Sequence, residues 1–472
     1  MAPDRFAPIL AELAPLTERF AAAGKRLYLV GGTVRDLLIG RGDPTNVDAF
    51  DFDATTDARP DETKAILAGW ADAIWTQGER FGTIGAKKNG RVYEITTHRA
   101  EAYSPDSRKP DVAFADAIDT DLSRRDFTIN AMALELTGSE PALIDPYNGA
   151  ADLIARALRT PLSPTESFSD DPLRMLRAAR FIAALNLTPD PGLVSAVKSM
   201  ADRLKIVSQE RVQAELDRLI VLEHPTVGLW FIVDTGLAAH FFPELPAMSL
   251  EQDPIHRHKD VLTHTLAVVE NVRPDAYPNF DFRRTRLAAL FHDIGKPKTR
   301  SIHKGKGITF HHHEVVGARM TRERMKALKY STEDVEAVTS LVEMHLRFHT
   351  YSMGWTDAAV RRYVRDAGPL LAELNVLTRC DCTTRNEKKA NMLSRRMDEL
   401  EARIEELAAQ EQLASMRPEL DGLAVMELLD MKPGPDVGRA LDFLMEIRLE
   451  EGLLGEEEIT RRLRAWWLAR QP

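Results

Sequence analysis

Leu27-Tyr28-Leu29-Val30-Gly31-Gly32, followed after a helix-like segment (residues 33–39) by Asp51-Phe52-Asp53, is the stretch whose reading decides the fold. Four apolar residues ending at a glycine pair predict a buried strand that passes into a helix. Asp51 and Asp53 stand at i and i+2 of a second strand, so both carboxylates project from one face of the sheet. Side by side they repel each other unless a divalent cation neutralises them. An all-oxygen donor set suits Mg²⁺, which also takes oxygens from a phosphate. Glycines between strand and helix let the backbone approach a phosphate, and the helix N-terminus adds oriented N–H donors. The combination points to chemistry on a triphosphate. Read in isolation, the same residues are also a turn followed by an acidic loop.

The chain has 472 residues, enough for two to four domains, with 44% hydrophobic and 28% charged residues. No stretch approaches the roughly 18 continuous apolar residues of a membrane span. The N-terminal Met-Ala-Pro-Asp-Arg-Phe has neither the basic nor the apolar region of a signal peptide, so a cytoplasmic protein is expected. Cys380 and Cys382 are too close for an ordinary disulfide and too few for a zinc site, and read as reduced packing residues. A net charge of −10 argues against a surface coated in positive charge for nucleic acid. It leaves room for RNA on a local basic strip, because phosphate contacts need only a few well-placed cations. Arginine is concentrated in 156–180, 283–286 and 361–365.

Val92-Tyr93-Glu94-Ile95-Thr96-Thr97 and residues 132–136 read as further strands. After Asp145-Pro146-Tyr147-Asn148-Gly149 the pattern turns helical and stays so to the C-terminus. The expected organisation is an α+β head at 1–137, a helical neck at 138–250, a histidine-rich helical region at 251–385 and a helical tail at 386–472. Pro433-Gly434-Pro435 and Trp466-Trp467 in the tail carry no motif, and the tryptophans read as core or interface.

Four more segments follow in order. Asp121-Leu-Ser-Arg124-Arg125-Asp126-Phe-Thr-Ile-Asn130 combines two guanidinium forks with carboxylates and an amide, suited to phosphates and a ribose hydroxyl. A helix-capping ion-pair cluster has the same composition. Asp145 to Arg159 comes next. Asp170-Asp171-Pro172-Leu173-Arg174-Met-Leu-Arg177-Ala-Ala-Arg180 starts a helix at Pro172. An Asp and an Arg on one face of it can offer acceptors and donors to the Watson–Crick edge of a base, or form one intrahelical ion pair. Glu210-Arg211-Val-Gln-Ala-Glu215 completes the series.

From about residue 25 to 220 this succession resembles the bacterial tRNA nucleotidyltransferases and poly(A) polymerases, a branch of the DNA polymerase beta-like superfamily. The resemblance implies a small polymerase-beta-like head of mixed sheet and helices ahead of an all-α body. It implies that Asp51 and Asp53 bind catalytic Mg²⁺, with Glu94 in place for a third carboxylate or as an ordinary strand residue. Gly31, Gly32 and Arg35 would face the triphosphate, and Asp121, Arg124, Arg125 and Asn130 the ribose and phosphates. Asp171 and Arg174 would select the base in place of a nucleic-acid template, with Arg177 and Arg180 beside them. Two departures stand out. The spacer from Gly32 to Asp51 is longer than the family's and brings Asp48 into view, and Asp170 stands where the family usually has Glu.

Ten of the thirteen histidines lie between 256 and 349. His264 sits in a helix-like segment. His292-Asp293-Ile-Gly295-Lys296, His313, His345 and Asp381 follow, a donor set able to enclose one or two divalent metals. Residues 255–385 resemble the HD phosphohydrolase superfamily. The resemblance implies a transition-metal site on His264, His292, Asp293 and Asp381, with His313 and His345 completing a second position. Lys296 would assist a leaving group, and phosphatase or phosphodiesterase chemistry is implied, unless the domain only braces RNA.

The expected activity is addition of C, C and A to tRNA from CTP and ATP, on a monomer or homodimer with no membrane partner. Poly(A) synthesis and partial CC- or A-addition are the rivals. The segment from Arg99 to Phe114 resembles the loop that A-addition requires, which disfavours CC-addition alone. A metal phosphohydrolase with an RNA-binding head, or a non-catalytic RNA binder, would leave one or both metal-ligand sets unexplained.

Overall fold

The computed structural model describes residues 4–47, 50–102, 111–250, 260–275, 279–303, 307–350, 355–384, 386–411 and 417–470. Asp48 and most of the loop expected after Arg99 (residues 103–110) lie outside them. The chain divides into two compact units, Met1–Pro243 and Glu244–Pro472. No helix among the described residues is long and apolar enough to cross a membrane.

The first unit opens with an α+β head. Its strands are β1 (Leu27–Val30), β2 (Phe52–Thr56), β3 (Ala73–Trp75), β4 (Thr83–Lys88), β5 (Arg91–Thr97), β6 (Arg99–Ala102), β7 (Asp111–Phe114), β8 (Ala133–Glu135) and β9 (Ala142–Ile144). Seven of them form one mixed sheet in the order β3-β4-β5-β2-β1-β8-β9, and β6 pairs with β7 as a separate hairpin. Within the sheet β2 runs parallel to β5, and its other pairs are antiparallel. β1 is central and buried along its whole length, which its unbroken apolar run requires. Leu27, Leu29, Phe52, Ala54, Tyr93 and Ile95 face one core, with Ile9, Leu13, Leu16 and Phe20 of the helix Ala7–Ala22. Tyr28 and Val30, on the opposite face, enter a second cluster with Leu122 and Ala131. The period-2 alternation therefore fixes which face of the sheet Asp53 and Glu94 occupy.

Behind the head, the helix Pro164–Asp170 begins with a capping box between Ser163 and Glu166, with proline in its first turn. The helix Arg174–Leu185 buries Met175, Leu176, Ala178, Ala179, Phe181 and Ile182. The expected all-helical run is interrupted by a two-residue parallel pairing of Ala157–Leu158 with Thr188–Pro189. A short hairpin, Ser301–His303 with Gly307–Thr309, interrupts it again.

In the second unit the helices Val261–Asn271, Phe282–Phe291, His313–Ala327, Thr332–Met344 and Leu371–Asp381 carry the histidine region. Asp260, Asp281 and Ser331 cap three of them through side-chain oxygens. Toward the C-terminus the helices Gly422–Leu429, Pro435–Glu451 and Glu456–Leu468 close their own core around Val425, Leu444, Ile459 and Leu463. Trp466 stacks on Phe443 with ring centroids 4.8 Å apart, so its ring is used for packing.

Candidate active site and metal centre

Asp51 precedes β2 and Asp53 lies on it, both exposed while Phe52 and Ala54 are buried. β2 and β5 place Asp53 in register with Glu94, which is exposed between buried Tyr93 and Ile95. Parallel neighbours in register share a face, so Asp53 and Glu94 lie on one side of the sheet, with Asp51 at the strand's entry close enough to act on Asp53. Asp53 keeps solvent exposure, yet the density of atoms around it desolvates the carboxyl and pushes it up. Glu94 and Asp51 add to that shift, and Arg125 opposes it.

Gly31 occupies the turn from β1 into the helix Gly32–Leu38 at φ +78°. A β-carbon there would stand 3.6 Å from Arg125 Nη1 and 3.8 Å from Asp53 Oδ2. Glycine thus leaves bare backbone facing a cation and an anion, a cradle suited to a phosphate and its counter-ion. Thr33 Oγ1 donates to the Asp51 carbonyl at 2.6 Å, tying the helix start to the entry of β2.

Asp121 is fully buried and accepts from Arg124 at 3.0 Å and Arg125 at 3.2 Å. Burial alone would raise its pKa, but Arg125 and Arg124 outweigh that and hold it low. Asp126 accepts from Arg177 Nε at 2.8 Å and Nη2 at 2.5 Å, and from Asn130 at 3.0 Å. Against the cost of burial these partners hold Asp126 down at about 2, with Arg177 the largest. Asn130 in turn accepts from Arg35 at 2.6 Å. Arg35 also grips Asp36 and lies over Phe181, so in this structure it braces the site. Arg174 is buried, with Nη1 on Ser167 Oγ at 2.9 Å and Nη2 on the Arg124 carbonyl. Asp171 accepts from the Leu173 N–H at 3.1 Å and from Arg211 at 2.6 Å. Buried Glu215 receives Arg180 and Arg218 at 2.8 Å and Arg177 at 3.5 Å. The result is a strip of alternating charge joining the motifs.

In the second unit, Nε2 of His264 lies 2.9 Å from Asp381 Oδ1, 3.5 Å from Asp293 Oδ2 and 3.3 Å from His292 Nε2. His292 Nε2 is 3.1 Å from Asp293 Oδ2. The other oxygen, Asp293 Oδ1, lies 3.3 Å from His313 Nε2 and 4.0 Å from His345 Nε2. Donor atoms converge within 4.8 Å in two triads, His264–His292–Asp293 and Asp293–His313–His345. As a set, Asp51, Asp53 and Glu94 stand further apart than that. Nδ1 of His292, His313 and His345 lies 2.8, 2.8 and 2.6 Å from the carbonyls of Ala289, Phe310 and Val342. Such partners draw the proton to Nδ1 and leave the Nε2 lone pair for a metal. Asp293 Oδ1 is buried and has no hydrogen-bond partner among the described residues, as expected of a ligand atom.

Burial would raise Asp293 and Asp381. His292 and Lys296 around the first, and His264 and His292 around the second, hold both well below the usual range. Burial and the neighbouring His292 push His345 down to about 3. The donor set fits divalent metal, with Asp293 shared between two positions. Gly295 permits this packing, because a β-carbon there would fall 2.2 Å from the His313 carbonyl.

The sequence reading assigned no role to Asp126, Arg211 or Glu215, although all three lay in the quoted motifs. Their charge was the available signal, Asp126 in the bend before residues 128–130 and Arg211 and Glu215 on the helix Gln209–Ile220, and only the tertiary pairing gives it meaning. Cys380, buried, and Cys382 flank Asp381 in sequence and form no disulfide among the described residues.

Residues 27–159 match the family model described as "Poly A polymerase head domain". Residues 186–248 match "Probable RNA and SrmB- binding site of polymerase A", and 261–386 match the HD domain. The A-adding tRNA nucleotidyltransferase of Deinococcus radiodurans is 32% identical over 450 residues, covering 93% of this chain and 94% of that protein. The CCA-adding enzyme of Levilactobacillus brevis is 39% identical over 224 residues, covering 47% of this chain and 53% of its own. The chain therefore spans about half the length of that relative. The Bacillus stearothermophilus CCA-adding enzyme in complex with CTP superposes with a TM-score of 0.67 at 23% identity, covering 100% of this chain and 99% of that one. At that identity the likeness bears on the fold. Taken with the near full-length Deinococcus match and the three family models in order, the chain belongs to the tRNA nucleotidyltransferase and poly(A) polymerase family.

Proposed function

We propose that this protein is a CCA-adding tRNA nucleotidyltransferase that extends the tRNA 3′ end with C, C and A from CTP and ATP. The observation that carries the reading is the convergence of Asp53 and Arg125 on the bare backbone of Gly31, with Glu94 in register beside Asp53. Mg²⁺ on Asp51 and Asp53 would neutralise charge on the attacking 3′-hydroxyl and on the leaving pyrophosphate. Gly31 and Gly32 would present backbone N–H groups to the triphosphate, with Arg124 and Arg125 as cationic partners. Asp121 would aim those two guanidiniums. Asp171 and Arg174 would read the base edge, and Arg177 and Arg180, fixed by Asp126 and Glu215, would line the same strip.

A second reading, A-addition alone to tRNA already ending in CC, is favoured by the Deinococcus relative, whose match runs through the tail as well as the head. The two readings separate on a gel. Purified protein is given tRNA lacking CCA, or tRNA ending in CC, with labelled CTP, ATP or both. Ordered growth to CCA supports the first reading, and growth of the CC-ending tRNA alone supports the second. A long A tail overturns both in favour of poly(A) synthesis.

The two triads of the second unit would hold a pair of divalent transition metals. They would support phosphomonoester or phosphodiester hydrolysis, with Lys296 stationed 2.6 Å from Asp293. A 3′-phosphorylated or cyclic-phosphate RNA end is the substrate class to assay.

A further inference from the structure

The geometry points to Arg211 as a positioning residue for base choice: its ion pair with Asp171 fixes the carboxylate that meets the Watson–Crick edge. This inference rests on the proposed role of Asp171 as a base-reading residue and deepens it.

Asp171 lies between two helices, Pro164–Asp170 and Arg174–Leu185, with extended backbone at φ −140°. Outside helical geometry its side chain has no regular neighbours to set its direction. Two contacts do so instead. The Leu173 N–H donates to Oδ1 at 3.1 Å, and Arg211 Nη2 donates to Oδ2 at 2.6 Å. The first is local and would form in many orientations. The second spans forty residues and comes from the opening turn of the helix Gln209–Ile220. That helix is itself immobilised one turn later. Glu215, buried at 3% exposure, receives Arg177, Arg180 and Arg218. Arg211 therefore transmits the position of a buried anchor to a half-exposed carboxylate. Asp171 also contributes to the field at Arg177, so the acid and the arginines share one strip.

A carboxylate has about four acceptor positions. With one spent on Leu173 and one on Arg211, the remaining capacity points in a set direction. Cytosine and adenine both present an exocyclic amine beside a ring-nitrogen acceptor. An ionised, oriented Asp171 takes the amine. Guanine offers a carbonyl there and meets two acceptors facing each other, the unpaired arrangement that gives polar sites their discrimination. Arg211 keeps the Asp171 carboxylate aimed through its 2.6 Å hydrogen bond, and needs no contact with the nucleotide to do so.

The test uses the full-length protein, tRNA ending in CC, and ATP against GTP. Arg211→Ala should raise KM for ATP and lower the ATP-over-GTP preference, each by about tenfold, the loss of one charge-assisted hydrogen bond, with the larger effect in KM rather than kcat. Arg211→Lys should recover part of the preference. Should the alanine variant misfold, Arg211→Gln replaces it, with the same expectation. Asp171→Asn is measured alone and combined with Arg211→Ala. On the Asp171→Asn background, removing Arg211 should cost nothing further. Unchanged KM and preference in folded Arg211→Ala or Arg211→Gln, beside a defective Asp171→Asn, would overturn the role of Arg211 and leave the reading of Asp171 intact. Normal base choice in Asp171→Asn would overturn both.

Discussion

Asp53 stands in register with Glu94 across the parallel pair β2–β5, so the two carboxylates are lateral neighbours on one face of the sheet. Glu94 is one of the causes that push Asp53 up, after desolvation. A group so placed would share a cation held by Asp53. Glu94→Gln should therefore raise the Mg²⁺ concentration needed for half-maximal nucleotide addition by about tenfold, on the scale of one lost charge-assisted contact. A Mg²⁺ titration of initial rates checks this, and an unshifted midpoint would make Glu94 an ordinary strand residue.

Asp293 offers one oxygen to each histidine triad. Asp293→Ala should consequently abolish both metal positions, whereas His345→Ala should remove one. Mass spectrometric metal counts on purified protein read the difference directly. Nucleotide addition should persist in both variants, since every residue assigned to it lies in the first unit.

Asp126 titrates at about 2 when folded, against an unfolded value near 4. A depressed carboxyl contributes stability that is fully present above the unfolded value and is lost as pH falls through the folded one. The first unit should thus weaken between about pH 4 and pH 2, by roughly 2 kcal/mol from this residue alone. Urea midpoints of that unit for wild type and Asp126→Asn should differ at pH 6 and converge toward pH 2. Parallel pH profiles would remove the linkage.

Gly31 adopts φ +78° with ψ −139°, a region that side-chain-bearing residues avoid. Gly31→Ala should cost about 1–3 kcal/mol of backbone strain. The nearest atoms lie at ordinary contact distance, so strain rather than collision sets the size. The added methyl also covers the cradle, so addition should fall further than stability does. Comparing melting temperature with the rate of addition separates the two.

Much of the head was legible from Leu27 to Asp53, because an unbroken apolar strand, a glycine pair and an i, i+2 acidic pair each have a narrow structural meaning. The histidine centre was legible as well, since His292-Asp293 and the distant donors have few other uses. The arginine strip was not. Arg35 is expected to face the triphosphate, and in the structure its guanidinium meets Asn130, Asp36 and the Phe181 ring, which the sequence did not show. Charge alone does not say whether an arginine faces a ligand or a buried acid. Asp126 and Glu215 carry the reverse lesson. Each is an ordinary acidic residue in the sequence, and each becomes a fixed point only when distant arginines fold onto it.

The most direct test of the account is transfer of labelled AMP from ATP to tRNA ending in CC by Asp53→Ala, beside wild type, in Mg²⁺. The account predicts efficient transfer by wild type and loss of at least about a thousandfold in the variant, with the metal content of the histidine centre unchanged; removing a group that stabilises transition-state charge has effects of this order. Transfer by Asp53→Ala at the wild-type rate would contradict it and move the reaction centre elsewhere.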